Sequence, residues 1–431
     1  MKHTSFKWGT LSLLLFVSAG LAAACSNSDS SGEESEDSDS DVVTLEYWRS
    51  SETGRPSYEV FMEVVEKFDE EHDDINLDIN TTPHDDYKTR LNTQAAGGEL
   101  PDIFQVWPGA ELEPLVEGDT ILPIDDITGH WLDSGLLAKG SFDEFTINEN
   151  VYAVPLNSNP THFIYYDKDI LAEAGYDSFP ETYDEFLTLI DDLKAEGTTP
   201  IALGNSPGWV LQSVYLSTIA DRYTGSDFLE QVQNGEASFT DPEFVDGLGV
   251  INDLVEKEAF NEDLNTIDNS QMLDYFLRGN SAMVMDGNWA VSELVENKPD
   301  DKNIGVTSIP VGDSNSISTT MGTAMAINSD ISEEKEEAAK TFLKEVYNEE
   351  LFQKMQGVGT SVPTNIEAPT EDLDPLMLEM LEVAKEAEPV PVYDATLDPG
   401  LIDTIENELQ SITLNEVEPK DAAENIQNEI E

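Results

Sequence analysis

The stretch from Leu277 to Trp289 brings together side chains that suit the binding of a small polar molecule. Ser281–Met285 is apolar and flanked by glycines, which predicts a short buried strand. Asp286, Asn288 and Trp289 follow in a polar turn, so the strand would present a carboxylate, an amide and an indole. In open α/β sheets ligands bind where strands end. The sequence therefore predicts a binding site here, although a Trp289 packed in a core would give the same pattern.

Patterns typical of catalysis are weak in this chain. Gly204–Gly208 (GNSPG) matches the GxSxG pattern of serine hydrolases. All five histidines precede Ser206, which excludes the hydrolase order of serine, acid and then histidine. A glycosidase needs only two carboxylates, and 89 acidic residues leave that possibility open. No Cys/His metal set or phosphate loop is present, so we predict a binding protein without metal or cofactor.

Length and charge restrict the architecture and the partners. A chain of 431 residues is too long for one core, and two lobes are the default expectation. Asp plus Glu outnumber Lys plus Arg by 89 to 21, a net charge of −68. The acids are interleaved with periodic apolar positions, which indicates a solvated acidic shell over an ordinary core. Such a surface disfavours nucleic acid and anionic ligands, and it indicates a saline environment.

The N-terminus reads as an export signal followed by a tether. Lys2 and Lys7 precede an apolar segment, Leu11–Ala24, that is too short to span a bilayer comfortably. Small residues stand directly before Cys25, the only cysteine, and the arrangement resembles a bacterial lipoprotein signal. Residues 1–24 are therefore predicted to be a signal peptide, with Cys25 lipidated. A plain secretory signal with an incidental cysteine would also fit. Residues 25–41 are rich in serine and acids, which predicts a flexible tether.

Strands and helices alternate along the rest of the chain. The N-terminal part contains five such segments: a strand at 42–48, a helix around 61–68, a strand at 75–79, a helix at 87–96 and a strand at 101–107. This alternation predicts an α/β fold with a mostly parallel sheet and helices on its faces. Farther along, Thr182 with Glu185 predicts a capped helix start, and Asp241 before Pro242 predicts another.

Six stretches in a fixed order resemble the extracellular solute-binding proteins of ABC importers, the family that includes maltose-binding and multiple-sugar-binding proteins. The resemblance covers residues 42 to about 415, and the stretches are GELPDIFQVWPG (98–109), YYDKDILAEAGYDSFPETYDEF (165–186), PIALG (200–204), FLRGNSAMVMDGNW (276–289), MGTAMAI (321–327) and GVGTSVP (357–363). PIALG, together with PVYDATLDPG (391–400), is similar to the subgroup that binds oligosaccharides.

The resemblance implies a two-lobed periplasmic-binding-protein fold whose lobes close over a ligand in the cleft between them. By analogy, the N-terminal lobe comprises 42–157 plus 325–360, and the C-terminal lobe comprises 158–324 plus 361–431. The hinge crossings then fall at Leu156–Asn159, Met321–Ala326 and Thr360–Pro363.

Ligand-contacting loops of the family coincide here with twelve candidate residues: Trp48, Arg49, Trp107, Asn159, Trp209, Asp286, Asn288, Trp289, Gly322, Thr323, Tyr393 and Asp394. A sugar offers an apolar face of C–H groups and a rim of hydroxyls, which suit aromatic rings and carboxylates or amides respectively. Trp209 and Trp289 are the predicted stacking platforms, and Asp286 and Asp394 the predicted hydroxyl acceptors. Trp131 and Tyr166 are expected to pack in the core.

The implied function is capture of a neutral sugar, an oligosaccharide in particular, for delivery to membrane permease subunits and their cytoplasmic ATPase. We expect a monomer that is anchored by lipid at the extracellular face of the membrane in a Gram-positive cell and has no nucleic-acid partner. A binding protein of the same fold for an amino acid, peptide or phosphate diester would need a fixed cation, and only five arginines exist. A secreted glycosidase or a cell-surface adhesin is also compatible with this sequence.

The acidic shell gives a first prediction. Added salt screens repulsion among surface carboxylates, so the melting temperature should rise by roughly 5 °C or more between 0.1 and 2 M NaCl. Thermal unfolding followed by circular dichroism across a salt series checks this, and a melting temperature that stays level or falls would contradict it.

Overall fold

The structure is a computed structural model, and it describes residues 42–50, 56–138, 140–312, 314–364, 366, 371 and 373–430. The predicted signal peptide (1–24), Cys25 and the tether (25–41) lie outside the described residues.

The strands of the described part are short and are separated by helices. In chain order they are β1 (Val43–Ser50), β2 (Ile75–Thr82), β3 (Ile103–Val106), β4 (Thr146–Ile147), β5 (Asn150–Val151), β6 (Ala153–Pro155), β7 (Ser158–Pro160), β8 (Phe163–Asp167), β9 (Thr199–Ala202), β10 (Ser281–Asp286), β11 (Ile304–Thr307), β12 (Ser316–Met321), β13 (Ala324–Ile327) and β14 (Glu388–Pro391).

The α-helices cover the faces of the sheets. They are α1 (Pro56–Glu71), α2 (His84–Gly97), α3 (Glu113–Glu117), α4 (Asp125–Asp133), α5 (Lys168–Glu173), α6 (Tyr183–Ala195), α7 (Ser217–Thr224), α8 (Phe228–Gln233), α9 (Pro242–Glu256), α10 (Asn269–Leu277), α11 (Ala290–Asn297), α12 (Glu333–Val346), α13 (Glu349–Gly357), α14 (Pro375–Glu386), α15 (Pro399–Thr413) and α16 (Pro419–Ile430).

The first lobe is built on a five-stranded sheet in the order β2-β1-β3-β13-β6. As predicted, β1 pairs in parallel with β2 and β3. β13 comes from a distant part of the chain and runs antiparallel to β3 and β6, so the sheet is mixed. Leu45 and Tyr47 pack on one side in a cluster with residues of α1, α12 and α13, and Phe104 and Val106 belong to a second cluster. Both faces of the sheet are therefore buried, as is usual where helices cover parallel strands.

The second lobe is built on a four-stranded sheet in the order β11-β8-β10-β9. β10 is a central strand with all six residues buried, which confirms the strand predicted at Ser281–Met285. It pairs in parallel with β9 but antiparallel with β8, and β8 is also antiparallel to β11. A mostly parallel sheet is therefore wrong for this lobe. The reason is connectivity, because the chain reaches β8 from the crossing strand β7, with Phe163 at the start of β8 opposite Asp286 at the end of β10.

The chain crosses between the lobes through hydrogen-bonded segments. It leaves the first sheet after β6, pairs through β7 with β12 in a third sheet (β14-β12-β7), and returns from β12 to β13. Backbone bonds join these segments: Leu156 N to Thr323 O at 2.8 Å, and Gly322 N to Asn157 O at 2.8 Å. Ser158 N donates to a third segment at Ser361 O, at 3.0 Å. The exact lobe boundaries stay a prediction.

Local capping signals have mixed outcomes in the structure. Thr182 Oγ1 accepts from Glu185 N at 3.4 Å, as expected of a cap at the start of α6. Asp241 precedes Pro242 at the start of α9, but its carboxylate accepts from Ser238 N at 3.0 Å and makes no cap bond to the helix. The cap predicted for Asp241 is therefore wrong, because the preceding turn presents a backbone donor to the same carboxylate. Trp131 is fully buried, as expected, and its Nε1 donates to Tyr347 O at 2.9 Å.

Candidate ligand-binding site

A cavity of about 480 Å³ lies where strands of both lobes end. Its volume is in the range of about 300–1,000 Å³ that is usual for small-molecule sites. The wall contains eight of the twelve candidate residues: Arg49, Trp107, Asn159, Trp209, Asn288, Trp289, Thr323 and Asp394. These residues follow or end strands of different sheets, and only the crossing of the chain between lobes brings them together.

Aromatic rings form a continuous series along the cavity. The ring centroids of Trp107 and His84 are 4.9 Å apart, those of His84 and Trp209 are 5.5 Å apart, and those of Trp209 and Trp289 are 6.0 Å apart. Trp107 and His84 belong to the first lobe, whereas Trp209 and Trp289 belong to the second. The series therefore passes from one lobe to the other and offers apolar ring surface on both sides.

The two tryptophans of the second lobe are held by unusual backbone. A Cβ on Gly287 would lie 2.2 Å from an atom of the Trp289 ring, so the indole can lie against the backbone only because residue 287 is glycine. Trp209 stands directly before a π-helical segment, Val210–Leu216, in which every residue is buried. Such segments are rare and are frequent at functional sites. Here the segment also carries Ser213 into the cavity wall.

Polar groups face the rings from the crossings and from the C-terminal part of the chain. Asn157 Nδ2 donates to Asn159 Oδ1 at 3.1 Å, and its Oδ1 accepts from Thr323 N at 2.7 Å. Ser213 Oγ donates to Asp394 Oδ2 at 3.1 Å. Burial raises the pKa of Asp394, and the nearby Lys88 opposes that shift. Asn288 Oδ1 is buried without a hydrogen-bond partner among the described residues.

Arg49 is a buried cation in the wall of this cavity. Arg49 is only 5% exposed, and its guanidinium carbon lies 4.1 Å from the ring centroid of Phe61 and 5.1 Å from that of Tyr58. Its Nε and Nη1 atoms have no hydrogen-bond partner among the described residues. No carboxylate of the described residues forms an ion pair with Arg49 either. Burial lowers the pKa of this guanidinium. The cavity thus contains a charged donor that the described protein groups leave uncompensated.

Comparison with known proteins assigns the family. Residues 53–351 match the family of bacterial extracellular solute-binding proteins, which is more than half of the chain. The chain belongs to this family. Among its relatives, the multiple sugar-binding protein of Streptococcus mutans is 28% identical over 379 residues, which are 85% of this chain and 84% of that protein.

Solved structures share the two-lobed fold of this solute-binding protein. A chitin oligosaccharide binding protein superposes with a TM-score of 0.80 at 24% identity, over 90% of this chain and 98% of that one. A structure from work on xylan utilisation by Caldanaerobius polysaccharolyticus superposes with a TM-score of 0.81 at 25% identity, over 90% of this chain and 100% of that one. The predicted two-lobed α/β fold is therefore confirmed.

Four candidate residues of the solute-binding protein lie outside the wall of the cavity. Asp286 is fully buried, where its carboxylate accepts from Gly287 N at 2.8 Å and Asn269 Nδ2 at 3.1 Å. Trp48 packs within the first lobe, with the Arg90 guanidinium 3.3 Å from its ring centroid.

The other two of these four residues support the wall from behind. Gly322 lets a crossing segment approach closely, since a Cβ there would lie 2.2 Å from Asn159 Nδ2. Tyr393 is buried, and its ring is stacked at 6.5 Å on Phe244.

Several residues of the wall were not predicted from the sequence. His84 begins α2 directly after β2, and Lys88 lies one turn farther along the same helix. Lys88 Nζ forms an ion pair with Glu111 at 3.0 Å and lies 5.0 Å from the Trp107 ring centroid. The position of His84 just after a strand was the available signal, since loops at strand ends gather ligands.

The GxSxG sequence does not form a hydrolase site with the buried histidine of the second lobe. Ser206 is exposed, whereas His162 is fully buried. His162 Nδ1 donates to Val214 O at 2.6 Å, and its Nε2 accepts from Ile309 N at 3.2 Å. Burial lowers the pKa of His162 to about 3. Both ring nitrogens are occupied, so this histidine links β8, the π-helical segment and the loop at 309.

Membrane-spanning helices and metal clusters are both absent from the described residues. No helix there has the length and apolar character needed to cross a membrane. No group of three or more His, Cys, Asp or Glu side chains in the same part of the chain is arranged to hold a metal ion.

The substitution Arg49→Met should have different effects on the stability of the fold and on the affinity for ligand. Removing a buried charge without a partner should leave the free energy of unfolding unchanged or raise it by up to about 2 kcal/mol, because desolvation of the cation is avoided. The same change should weaken ligand binding at least tenfold, or about 1.4 kcal/mol, through loss of a charged donor. Urea unfolding without ligand and calorimetric titration measure the two effects.

Arg90→Met is the matched control, since Arg90 also lies over an aromatic ring but outside the cavity. It should leave affinity unchanged. If Arg49→Met destabilised the fold by several kcal/mol and kept its affinity, Arg49 would be a structural residue.

Proposed function

We propose that this protein captures a neutral oligosaccharide in its interlobe cavity and delivers it to the permease subunits of an ABC importer. The observation that carries the proposal is the series of rings from Trp107 through His84 and Trp209 to Trp289, faced by amide, hydroxyl and carboxyl groups. The sugar-binding relative in Streptococcus mutans and the oligosaccharide-binding structural neighbour support it.

The chemistry of the wall suits a carbohydrate. Trp209 and Trp289 present ring faces to the C–H surface of a pyranose. Asp394, Asn159 and Thr323 offer acceptors and donors for its hydroxyls. Burial raises the pKa of Asp394 and the nearby Lys88 opposes that shift, and the Asp394 carboxyl already accepts from one hydroxyl of the wall, Ser213 Oγ.

Closure of the lobes over the ligand would supply the free energy of binding and would produce the conformation that signals a bound ligand. The ring series includes members of both lobes, so a sugar between them contacts both at once only when the lobes are together. The permease would then recognise the closed form. We infer that the protein binds its ligand without catalysis, because the groups around the cavity suit hydrogen bonding to hydroxyls. We also expect it to act as a monomer.

A second candidate rests on Arg49. A buried cation without a carboxylate partner among the described residues favours a ligand that carries an anionic group, such as an amino acid or an acidic sugar. The overall charge of −68 does not exclude this, since surface charges are screened over about 8–10 Å at physiological salt. A neutral sugar and its acidic counterpart can be compared as ligands. If the protein binds the neutral sugar and not the acidic one, the natural ligand is neutral.

Removal of the stacking rings tests the site. A tight ligand at a hundredfold excess over Kd stabilises a protein by about 2.7 kcal/mol. In Trp209→Ala and Trp289→Ala we expect this stabilisation to fall to about a third or less, because each change should cost about 2 kcal/mol or more of binding. Differential scanning fluorimetry against a panel of oligosaccharides, run in high salt, provides the measurement.

Trp209→Phe and Trp289→Phe are the matched controls and should keep part of the shift, since an aromatic face remains. Circular dichroism without sugar establishes that each variant is folded. An undiminished shift in both alanine variants would contradict the assignment of these rings, and steady release of reducing ends from any oligosaccharide would contradict a role limited to binding.

The location of the protein rests on its N-terminal sequence. We propose that Cys25 carries the lipid that holds the protein at the extracellular face of a Gram-positive membrane, with the acidic surface adapted to salt. Each buried methylene contributes about 0.8 kcal/mol, so two or more acyl chains on one cysteine are a stable anchor, whereas a single chain binds reversibly. Cys25→Ala should move the protein from the membrane fraction to the medium or a soluble fraction. Retention of Cys25→Ala in the membrane fraction would contradict lipid anchoring.

A further inference from the structure

A second cavity, of about 880 Å³, adjoins the first. We call it the trough. Five residues line both spaces: Lys88, Trp107, Trp209, Thr320 and Asp394. Two of the four rings in the series therefore stand at the boundary between the two spaces. The proposed function leaves the trough without a role.

Helix periodicity shows how the trough is built. The residues of α2 that line it are spaced by one, three and four positions, which places them on one helix face: Lys88, Thr89, Asn92, Ala95 and Ala96. The residues of α15 that line it follow the same rule: Pro399, Ile402, Asp403 and Glu406. Since α2 belongs to the first lobe and α15 packs on the core of the second, the trough lies between the lobes, as the first cavity does.

Glycines hold the walls of the trough together at two places. Gly109 has φ +63°, and a Cβ there would lie 2.3 Å from Asp394 O of the other lobe. Gly208 has φ +87°, and a Cβ there would lie 2.6 Å from Glu406 Oε2. Any other residue at either position would have a strained backbone, and a Cβ at position 109 would also push the two lobes apart. Gly109 therefore permits the close approach of the lobes at this end, whereas Gly208 permits α15 to pack against the loop before the π-helical segment within the second lobe.

The lining of the trough resembles that of the first cavity in its chemistry. Trp107 and Trp209 contribute half-buried rings. Burial raises the pKa of Glu406 to about 8, so this carboxyl is mainly protonated at neutral pH and can both donate and accept. Burial alone would lower the pKa of Lys88, but Glu111 and Asp394 outweigh that effect and keep the amine charged. Rings, a neutral carboxyl and single donors are the groups that bind sugar hydroxyls and C–H faces.

We propose that the trough holds the outer units of an oligosaccharide whose inner units occupy the first cavity, so that the protein selects its ligand by chain length. This inference rests on the proposed function. The ligand would pass the shared residues Trp107 and Trp209. Each of these two rings would offer one surface to the first cavity and another to the trough. A ligand too short to pass them would fill the first cavity only.

Filling the trough tests the proposal. Ala96 is exposed and lies on the trough face of α2, so Ala96→Trp should fold normally and occupy the space. Thr93→Trp is the matched control, because Thr93 is also exposed on the same helix and does not line the trough. Calorimetric titrations would use three series, namely malto-, xylo- and chito-oligosaccharides, each from the disaccharide to the hexasaccharide.

In the series that binds, we expect the affinity of the wild type and of Thr93→Trp to rise about tenfold or more from the shortest bound sugar to the longest. In Ala96→Trp that increase should vanish, while the shortest bound sugar keeps its wild-type affinity. Affinity that is flat with length, or an increase that Ala96→Trp leaves intact, would overturn the role of the trough and leave the first cavity as the sugar site. Absence of binding in all three series, with folded protein, would overturn the sugar-binding function and this inference together.

Discussion

Hydrogen bonds between the crossing segments fix how the two lobes are joined. Backbone groups of residues 156–158 bond to those of residues 322, 323 and 361, which are far away in the chain. Asn157 adds a side-chain bond to Thr323 N at 2.7 Å. Buried backbone groups need partners, so these segments can run between the lobes only by satisfying one another. They bring the ends of strands from two sheets to face each other, and the first cavity lies where those ends meet, with the trough beside it between α2 and α15.

Different physical effects control the charged groups of the surface and those of the cleft. The charge of −68 is spread over a surface in contact with water and salt, where screening limits its range. In the cleft a few groups are removed from water, and burial dominates: it lowers the pKa of Arg49 and raises the pKa of Asp394 and Glu406. A strongly acidic protein can therefore present a cavity whose donors and acceptors are mostly neutral, with Arg49 and Lys88 as its cations.

Sequence reasoning succeeded where a signal is local. The strand predicted at 42–48, the apolar run of β10 and the cap at Thr182 are each encoded within a few residues, and each is found in the structure. It failed where an outcome depends on the arrival of a distant segment. β13 and β8 run antiparallel to their neighbours because of where the chain crosses, and no periodicity within either strand records that direction. The cap at Asp241 failed for a local reason instead, because its carboxylate accepts from Ser238 N in the preceding turn.

Residue type and spacing were enough to specify the α/β class and the loops that carry Trp107, Trp209 and Trp289, because they show which chain segments end in polar turns. Asp394 entered through the resemblance to a known family. Which side chains of these loops face the cavity depends on the tertiary fold. Asp286 turns inward to hold its own turn, although it stands three residues before Trp289, and His84 enters the ring series from another lobe. The physical reason is that side-chain direction at a strand end follows from close contacts with segments that are distant in the chain.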